Sequence, residues 1–187
     1  MKFTKMHGCG NDYVYVNLFE EKLDDPARVS IYVSDRHFGI GSDGLITIGP
    51  SDKADFRMRI YNADGSEAEM CGNGIRCVAK YVYDHKLTDK TKISVETGAG
   101  IKYLTLYVEE NKVSQVRVDM GEPILTPGDI PVVKADGSAY GDDYRVIDEP
   151  ISAGNREWHM TCVSMGNPHA VVFVDKETHF ELEKYGP

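Results

Sequence analysis

An α+β fold, with a largely antiparallel or mixed sheet around one or two helices, follows from three features of this 187-residue sequence. Short segments alternating apolar with polar residues recur along most of the chain. Two stretches, about 26–38 and 74–85, carry helix signals instead. Polar turns punctuate both kinds of segment. With 41% apolar and 27% charged residues, a packed core is expected and disorder is not.

Taken in order, Phe3 and Lys5, then Tyr13, Tyr15 and Asn17 set against Val14 and Val16, read as two strands. Between them His7-Gly8-Cys9-Gly10-Asn11-Asp12 reads as a tight loop. Asp25-Pro26 supplies an N-cap and a first-turn proline, and Gly39 a stop. The helix between them would place Val29, Tyr32, Val33 and Phe38 on or near one face. Residues 45–48 and 56–61 alternate like strands. Ile75, Val78, Ala79 and Val82 fall at i, i+3, i+4, i+7 and mark the second helix. Residues 92–96, 103–108 and 113–120 return to strand, with Glu109-Glu110-Asn111-Lys112 turning between the last two.

From Gly121 the texture changes: Pro123, Pro127, Gly128 and Pro131 crowd together, as at a domain boundary or a crossing strand. Strand character resumes at 161–164 and 170–174. The segment from Gly10-Asn11 to Asn17 is similar to that from Gly166-Asn167 to Asp175, since each opens with Gly-Asn and runs into an apolar strand. A Gly-Asn pair is common, so duplication and chance both account for the likeness.

Acidic residues outnumber basic ones by 30 to 21, a formal charge of −9 that repels phosphate backbones and anionic membranes. Nucleic acid and membrane are therefore excluded as expected partners, and a small zwitterionic ligand in a local site is not. The N-terminal stretch lacks the apolar core of a signal peptide, and no apolar run approaches the ~20 residues of a membrane span, so a cytoplasmic location is expected. In that compartment the four cysteines, at 9, 71, 77 and 162, are not expected to form disulfides. No CxxC and no histidine spacing suggests a metal, so none is expected.

The richest stretch runs from Tyr61-Asn62-Ala63-Asp64-Gly65-Ser66 through Met70-Cys71-Gly72-Asn73-Gly74-Ile75-Arg76-Cys77. It is a strand, a polar turn and a glycine-flanked thiol just before a helix. Backbone N–H groups at a helix start lack partners and carry partial positive charge. They favour a thiolate and can cradle a carboxylate. Gly72 and Gly74 let backbone approach a ligand, and Asn62 and Asn73 can bond its polar groups without adding charge. Taken alone, the pattern fits a buried packing cysteine before a glycine turn better than a chemical one. Cys77, within the helix, and Cys162, within a strand, are assigned to packing, while Cys9 sits in a glycine loop with no base beside it in sequence.

The motif N-A-D-G-S-E-x-x-M-C-G-N-G-x-R-C resembles the first active-site motif of diaminopimelate epimerases. M-H-G-x-G-N-D-Y, R-H-x-G-I-G-S-D-G-L and S-M-G-N-P-H-A-V resemble three further blocks of that family, in the same order along the chain. The resemblance implies two similar domains, each a mixed or antiparallel sheet wrapped around a central helix. Here these would be 1–118 and an incomplete 119–187. It implies a cofactor-independent isomerase of lysine and peptidoglycan precursor synthesis, without pyridoxal phosphate or metal. Two cysteines would act as acid and base on opposite faces of an α-carbon, interconverting LL- and meso-diaminopimelate. Carried onto matching positions, Cys71 is the first of those cysteines and His169 tunes a catalytic thiol. Asn11, Asn62, Gly72, Asn73 and Asn167 would bind substrate. Without the resemblance, His169 reads as a strand-start residue. Where some members carry a substrate-binding Gln after Asp43, this chain has Gly44.

The family's second motif, an acidic-Arg segment followed by A-C-G-T/S-G, has no counterpart in the 187 residues. The chain as written is accordingly expected to lack the opposed acid and not to complete epimerisation. An incomplete second domain would expose apolar strand surface, and either pairing with another chain as a homodimer or poor order is expected to follow. The alternatives are a fragment that only binds a ligand or partner, and a related cofactor-free isomerase for another substrate.

Overall fold

The computed structural model describes residues 1–174 and 182–186. They form two compact units, Met1–Met120 and Gly121–Pro187. The expected break after residue 118 would fall inside a strand that runs to Asp119.

In the first unit, β1 (Thr4–Gly8) and β2 (Asn11–Asn17) form an antiparallel hairpin. The loop expected from His7 to Asp12 is a two-residue turn. Cys9 and Gly10 both adopt left-handed backbone, φ 56° and 88°, the twist that suits a tight hairpin. β3 (Gly44–Gly49), β4 (Phe56–Asn62), β6 (Lys92–Thr97), β7 (Gly100–Glu109) and β8 (Lys112–Asp119) extend the sheet. The short β5 (Glu67–Ala68) pairs off β4. The order is β1-β2-β3-β4-β6-β7-β8, with β2–β3 and β4–β6 parallel and the other pairs antiparallel, so the sheet is mixed as expected.

α2 (Gly72–Asp84) packs against β1 and β2 at one edge of this sheet and β7 and β8 at the other. Both edges reach one helix, so the sheet curls around it. Ile75, Val78 and Val82 are fully buried among Ile46, Ile48, Met58 and Val95. Each contributes roughly 2 kcal/mol by leaving water. α1 (Pro26–Ser34) covers the opposite face over Val14, Val16, Leu45 and Tyr61. β3 is thus buried on both sides, and its alternation sorts side chains between two helices rather than between core and water.

Two helix bounds differ from expectation. α1 ends at Ser34, because the Asp35 carboxylate accepts from the N–H groups of His37 (2.7 Å) and Phe38 (2.6 Å) and turns the chain aside. Tyr32 and Phe38 are 62% and 96% exposed, leaving Val29 and Val33 as the packed face. α2 starts at Gly72, two residues before Gly74, so Cys71 caps the helix instead of preceding it at a distance.

The second unit holds β9 (Glu149–Ala153), β10 (Arg156–Ser164) and β11 (Pro168–Val172), an antiparallel meander in the order β11-β10-β9. Ile130, Val146, Met160 and Cys162 form its core. α3 (Leu182–Tyr185) is one turn. β9 escapes a sequence reading because Pro150 interrupts its pattern. Within the proline-rich stretch, Ile124 bridges to Ser164. Both Gly-Asn pairs sit at hairpin turns, with Gly166 at φ 103°, but Asp175, which closes the second segment, lies outside the described residues.

Candidate active site

Cys71 is the N-cap of α2, and its sulfur accepts a hydrogen bond from the Gly74 N–H at 3.3 Å. The helix start presses directly on the sheet. A β-carbon at position 74 would lie 2.6 Å from the Ile46 Cδ1 and 3.4 Å from the Cys71 sulfur. A side chain there would have to push the end of Ile46 aside. Gly72 differs: a β-carbon would find its nearest neighbour, the Met120 Cε, at 3.8 Å. Its missing side chain relieves no crowding and leaves the first helical N–H approachable.

Two side chains approach the same sulfur from β2. The Asn11 amide nitrogen donates to it at 3.7 Å. The Asn11 Oδ1 is buried with no hydrogen-bond partner among the described residues, an acceptor left to be satisfied. The buried Tyr13 side chain stands on the same face of β2 as Asn11, near enough to Cys71 to feel charge there. Burial, and then negative charge at Cys71, push Tyr13 up to about 12, so it stays a donor. Sequence reasoning treated Tyr13 as strand alternation alone. Its place two residues after Asn11, on one face of the strand, was the available signal.

Asn62 ends β4, and its amide donates to the Ser66 Oγ at 3.0 Å. In register, Tyr13, Gly44 and Asn62 lie side by side across β2, β3 and β4. A β-carbon on Gly44 would stand 2.2 Å from the Tyr61 carbonyl oxygen and 2.9 Å from the Tyr13 ring. Position 44 therefore admits no side chain at all. Asn73 lies in the first turn of α2, where its Oδ1 accepts from the Arg76 guanidinium at 2.6 Å. Its amide N–H groups are then what it can offer a ligand.

The structure thus gathers Asn11, Tyr13 and Cys71, with Gly72 and Asn73 following in the helix start. Asn167 and His169 belong to the second unit. There the His169 Nδ1 lies 2.9 Å from the Asn167 carbonyl oxygen, to which it donates. All four cysteines are free thiols. Cys77 is buried on the packed face of α2 and Cys162 within β10, and burial pushes both up. Cys9 is exposed in the hairpin turn, its sulfur 3.7 Å from Arg76.

The sequence profile of diaminopimelate epimerase matches residues 3–126. The chain belongs to the diaminopimelate epimerase family. It is 97% identical over its whole length to a diaminopimelate epimerase of Agathobacter rectalis, of which it covers 66%. It is 58% identical, again over its whole length, to one from Methanococcus maripaludis, of which it covers 65%. The chain therefore spans slightly less than two thirds of these curated relatives. A hydroxyproline epimerase from Agrobacterium vitis, solved with bound trans-4-hydroxy-L-proline, shares the fold at a TM-score of 0.61 and 14% identity, over 99% of this chain and 52% of that one.

Seen as a diaminopimelate epimerase family member, the chain uses its motif blocks as structural units. M-H-G-x-G-N-D-Y is the β1–β2 hairpin, the cysteine motif leads from the end of β4 into α2, and S-M-G-N-P-H-A-V forms the β10–β11 turn. R-H-x-G-I-G-S-D-G-L joins α1 to β3 and carries Arg36 and Asp43, whose side chains meet Asp12 of the hairpin. Hydrogen bonding from Arg36, reinforced by Lys5 and opposed by burial, holds Asp12 down at about 2. A carboxylate depressed from its ordinary 3.8 contributes stability that is present above that value and lost as pH falls toward 2. With Arg36 half exposed, the contribution is about 1 kcal/mol after solvent screening. Asp12→Asn is thus expected to lower the urea midpoint at pH 6 and to flatten its decline between about pH 4 and 2. An unchanged acid limb would assign that decline to other groups.

Proposed function

We propose that this chain binds diaminopimelate and that Cys71 takes the α-proton from one face of it, within a cofactor-independent epimerase interconverting the LL and meso forms. The observation that carries this reading is the convergence of the Gly74 N–H and the Asn11 amide on the Cys71 sulfur at the start of α2. Both N–H groups can donate to negative charge that forms on that sulfur. The α-proton would pass to that sulfur, and the electron pair left on carbon would delocalise into the carboxylate. N–H groups at the start of α2 are placed to receive that charge as it develops. Inversion then needs a proton from the opposite face. Cys9, Cys77 and Cys162 lie in a turn, mid-helix and mid-strand, so none repeats the helix-start placement of Cys71.

Asn62, Asn73 and Gly72 would hold the substrate's polar groups, and Asn167 keeps the substrate-binding role that the family resemblance implies. His169 would tune a thiol, as the family resemblance implies. Asn73→Ala is expected to weaken binding of a diaminopimelate analogue about tenfold, because a charged group loses a partner. Isothermal titration showing unchanged affinity in both Asn73→Ala and Asn62→Ala would remove these residues from the site. The reading includes a cytoplasmic location and self-association as a homodimer, the latter supported by exposed Ile151, Val172 and Phe173 in the second unit. Among the described residues no helix is long and apolar enough to cross a membrane.

The reading is tested by incubating the purified chain with LL-diaminopimelate, and separately with hydroxyproline, in D₂O. Loss of the diaminopimelate α-proton signal without growth of the meso isomer is the expected result. Conversion to the meso form would mean that a second acid is present and misassigned. Exchange with hydroxyproline alone would move the substrate to another class.

A further inference from the structure

The stretch from Arg36 to Asp43, ahead of β3, has no part in the chemistry above. It does touch Asp12, and successive side chains of a strand point to opposite faces. Asp12 therefore projects away from the face on which Asn11 and Tyr13 reach Cys71. Its carboxylate lies 2.9 Å from the Arg36 Nη2 and 3.0 Å from the Lys5 Nζ. The same Arg36 nitrogen lies 2.9 Å from the Asp43 Oδ1. Lys5 also donates to the Gly41 carbonyl. The backbone joins in: the Asp12 N–H donates to the Asp43 Oδ2 at 3.0 Å, and the Asp43 N–H donates to the Asp12 carbonyl at 2.8 Å.

Residue 12 is thus held through both main-chain groups and both carboxylate oxygens. Single surface ion pairs contribute little, but here two cations converge on a carboxylate only 16% exposed and tie β1 and β2 to the loop before β3. On the other face nothing comparable anchors Asn11. Its Oδ1 has no partner among the described residues, and its amide bond to sulfur, at 3.7 Å, is long. The position of that amide has to come from the backbone.

We propose that the Lys5–Arg36–Asp12–Asp43 cluster is a positioning device that holds Asn11 against the Cys71 sulfur through β2. The inference rests on the reading of Cys71 as the reactive thiol. Loosening the cluster removes a donor from the thiolate.

The experiment is alkylation of the chain by limiting iodoacetamide at pH 7, with rates read at each cysteine by peptide mapping. Exposed Cys9 serves as the reactivity reference, and buried Cys77 and Cys162 report unfolding. Arg36→Met is expected to slow Cys71 about threefold. Asn11→Ala should slow it similarly, and Arg36→Met should add nothing in the Asn11→Ala background. A loss of packing alone would not produce that non-additivity. If Arg36→Met raises labelling of Cys77 and Cys162, the isosteric Asp43→Asn carries the same comparison. An unchanged Cys71 rate, or equal effects of the variant with and without Asn11, overturns the inference. If Cys71 labels no faster than Cys77 and Cys162 in the parent chain, the reading of the active thiol fails instead.

Discussion

Replacing Gly44 by alanine is expected to remove about 3 kcal/mol or more of folding stability, enough to leave the first unit largely unfolded in mild urea. The added carbon would lie 2.2 Å from the Tyr61 carbonyl oxygen and 2.9 Å from the Tyr13 ring. β3 is hydrogen-bonded to β2 on one side and β4 on the other, and all six of its residues are buried. Neither neighbour can retreat without breaking a ladder. Overpacking a core usually costs about 1–3 kcal/mol, and a clash with backbone belongs at the upper end or beyond. Gln, which some family members carry here, should be no better tolerated. Gly72→Ala is the control: with 3.8 Å to its nearest neighbour it should shift the urea midpoint little. A loss below about 1 kcal/mol for Gly44→Ala would mean that the β3–β4 spacing relaxes freely.

The second large effect is chemical. Cys71→Ala is expected to abolish α-proton exchange, by a thousandfold or more on the scale of about 10²–10⁴ typical of a lost general base. Its effect on stability should be only about 1 kcal/mol, from the missing helix cap. Cys71→Ser separates the two roles. Serine caps a helix well, so stability should match the parent, yet its hydroxyl is far too weak an acid to form the anion at neutral pH. Exchange that survives in Cys71→Ser within tenfold of the parent would show that the thiol is not the base.

Much of the scaffold of this site is local, and local features were readable. The i, i+3, i+4, i+7 spacing of Ile75, Val78, Ala79 and Val82 does mark the packed face of α2, all four being fully buried. The turn residues at 9–10 and 110–111 do turn the chain, with left-handed backbone at each. Cys71 is at a helix start because glycines and a strand-ending turn surround it in sequence. The helix limits were less legible, since the Asp35 side chain competes with α1 for its own backbone N–H groups.

What sequence alone determined was therefore the kind of most elements, β5, β9 and α3 excepted, the packing roles of Cys77 and Cys162, and the candidacy of Cys71. Only the tertiary structure decided who meets whom. Asn11 and Cys71 are 60 residues apart, and they touch because the sheet curls until β1 and β2 lie on α2. Tyr13 joins them, Asp12 faces away toward Arg36 and Asp43, and Gly44 has no room for a side chain, all because β2, β3 and β4 are neighbours in one register. Periodicity is a property of the near chain, set by backbone geometry over a few residues. Strand order and register are set by the burial of whole faces at once, which no short stretch of sequence contains.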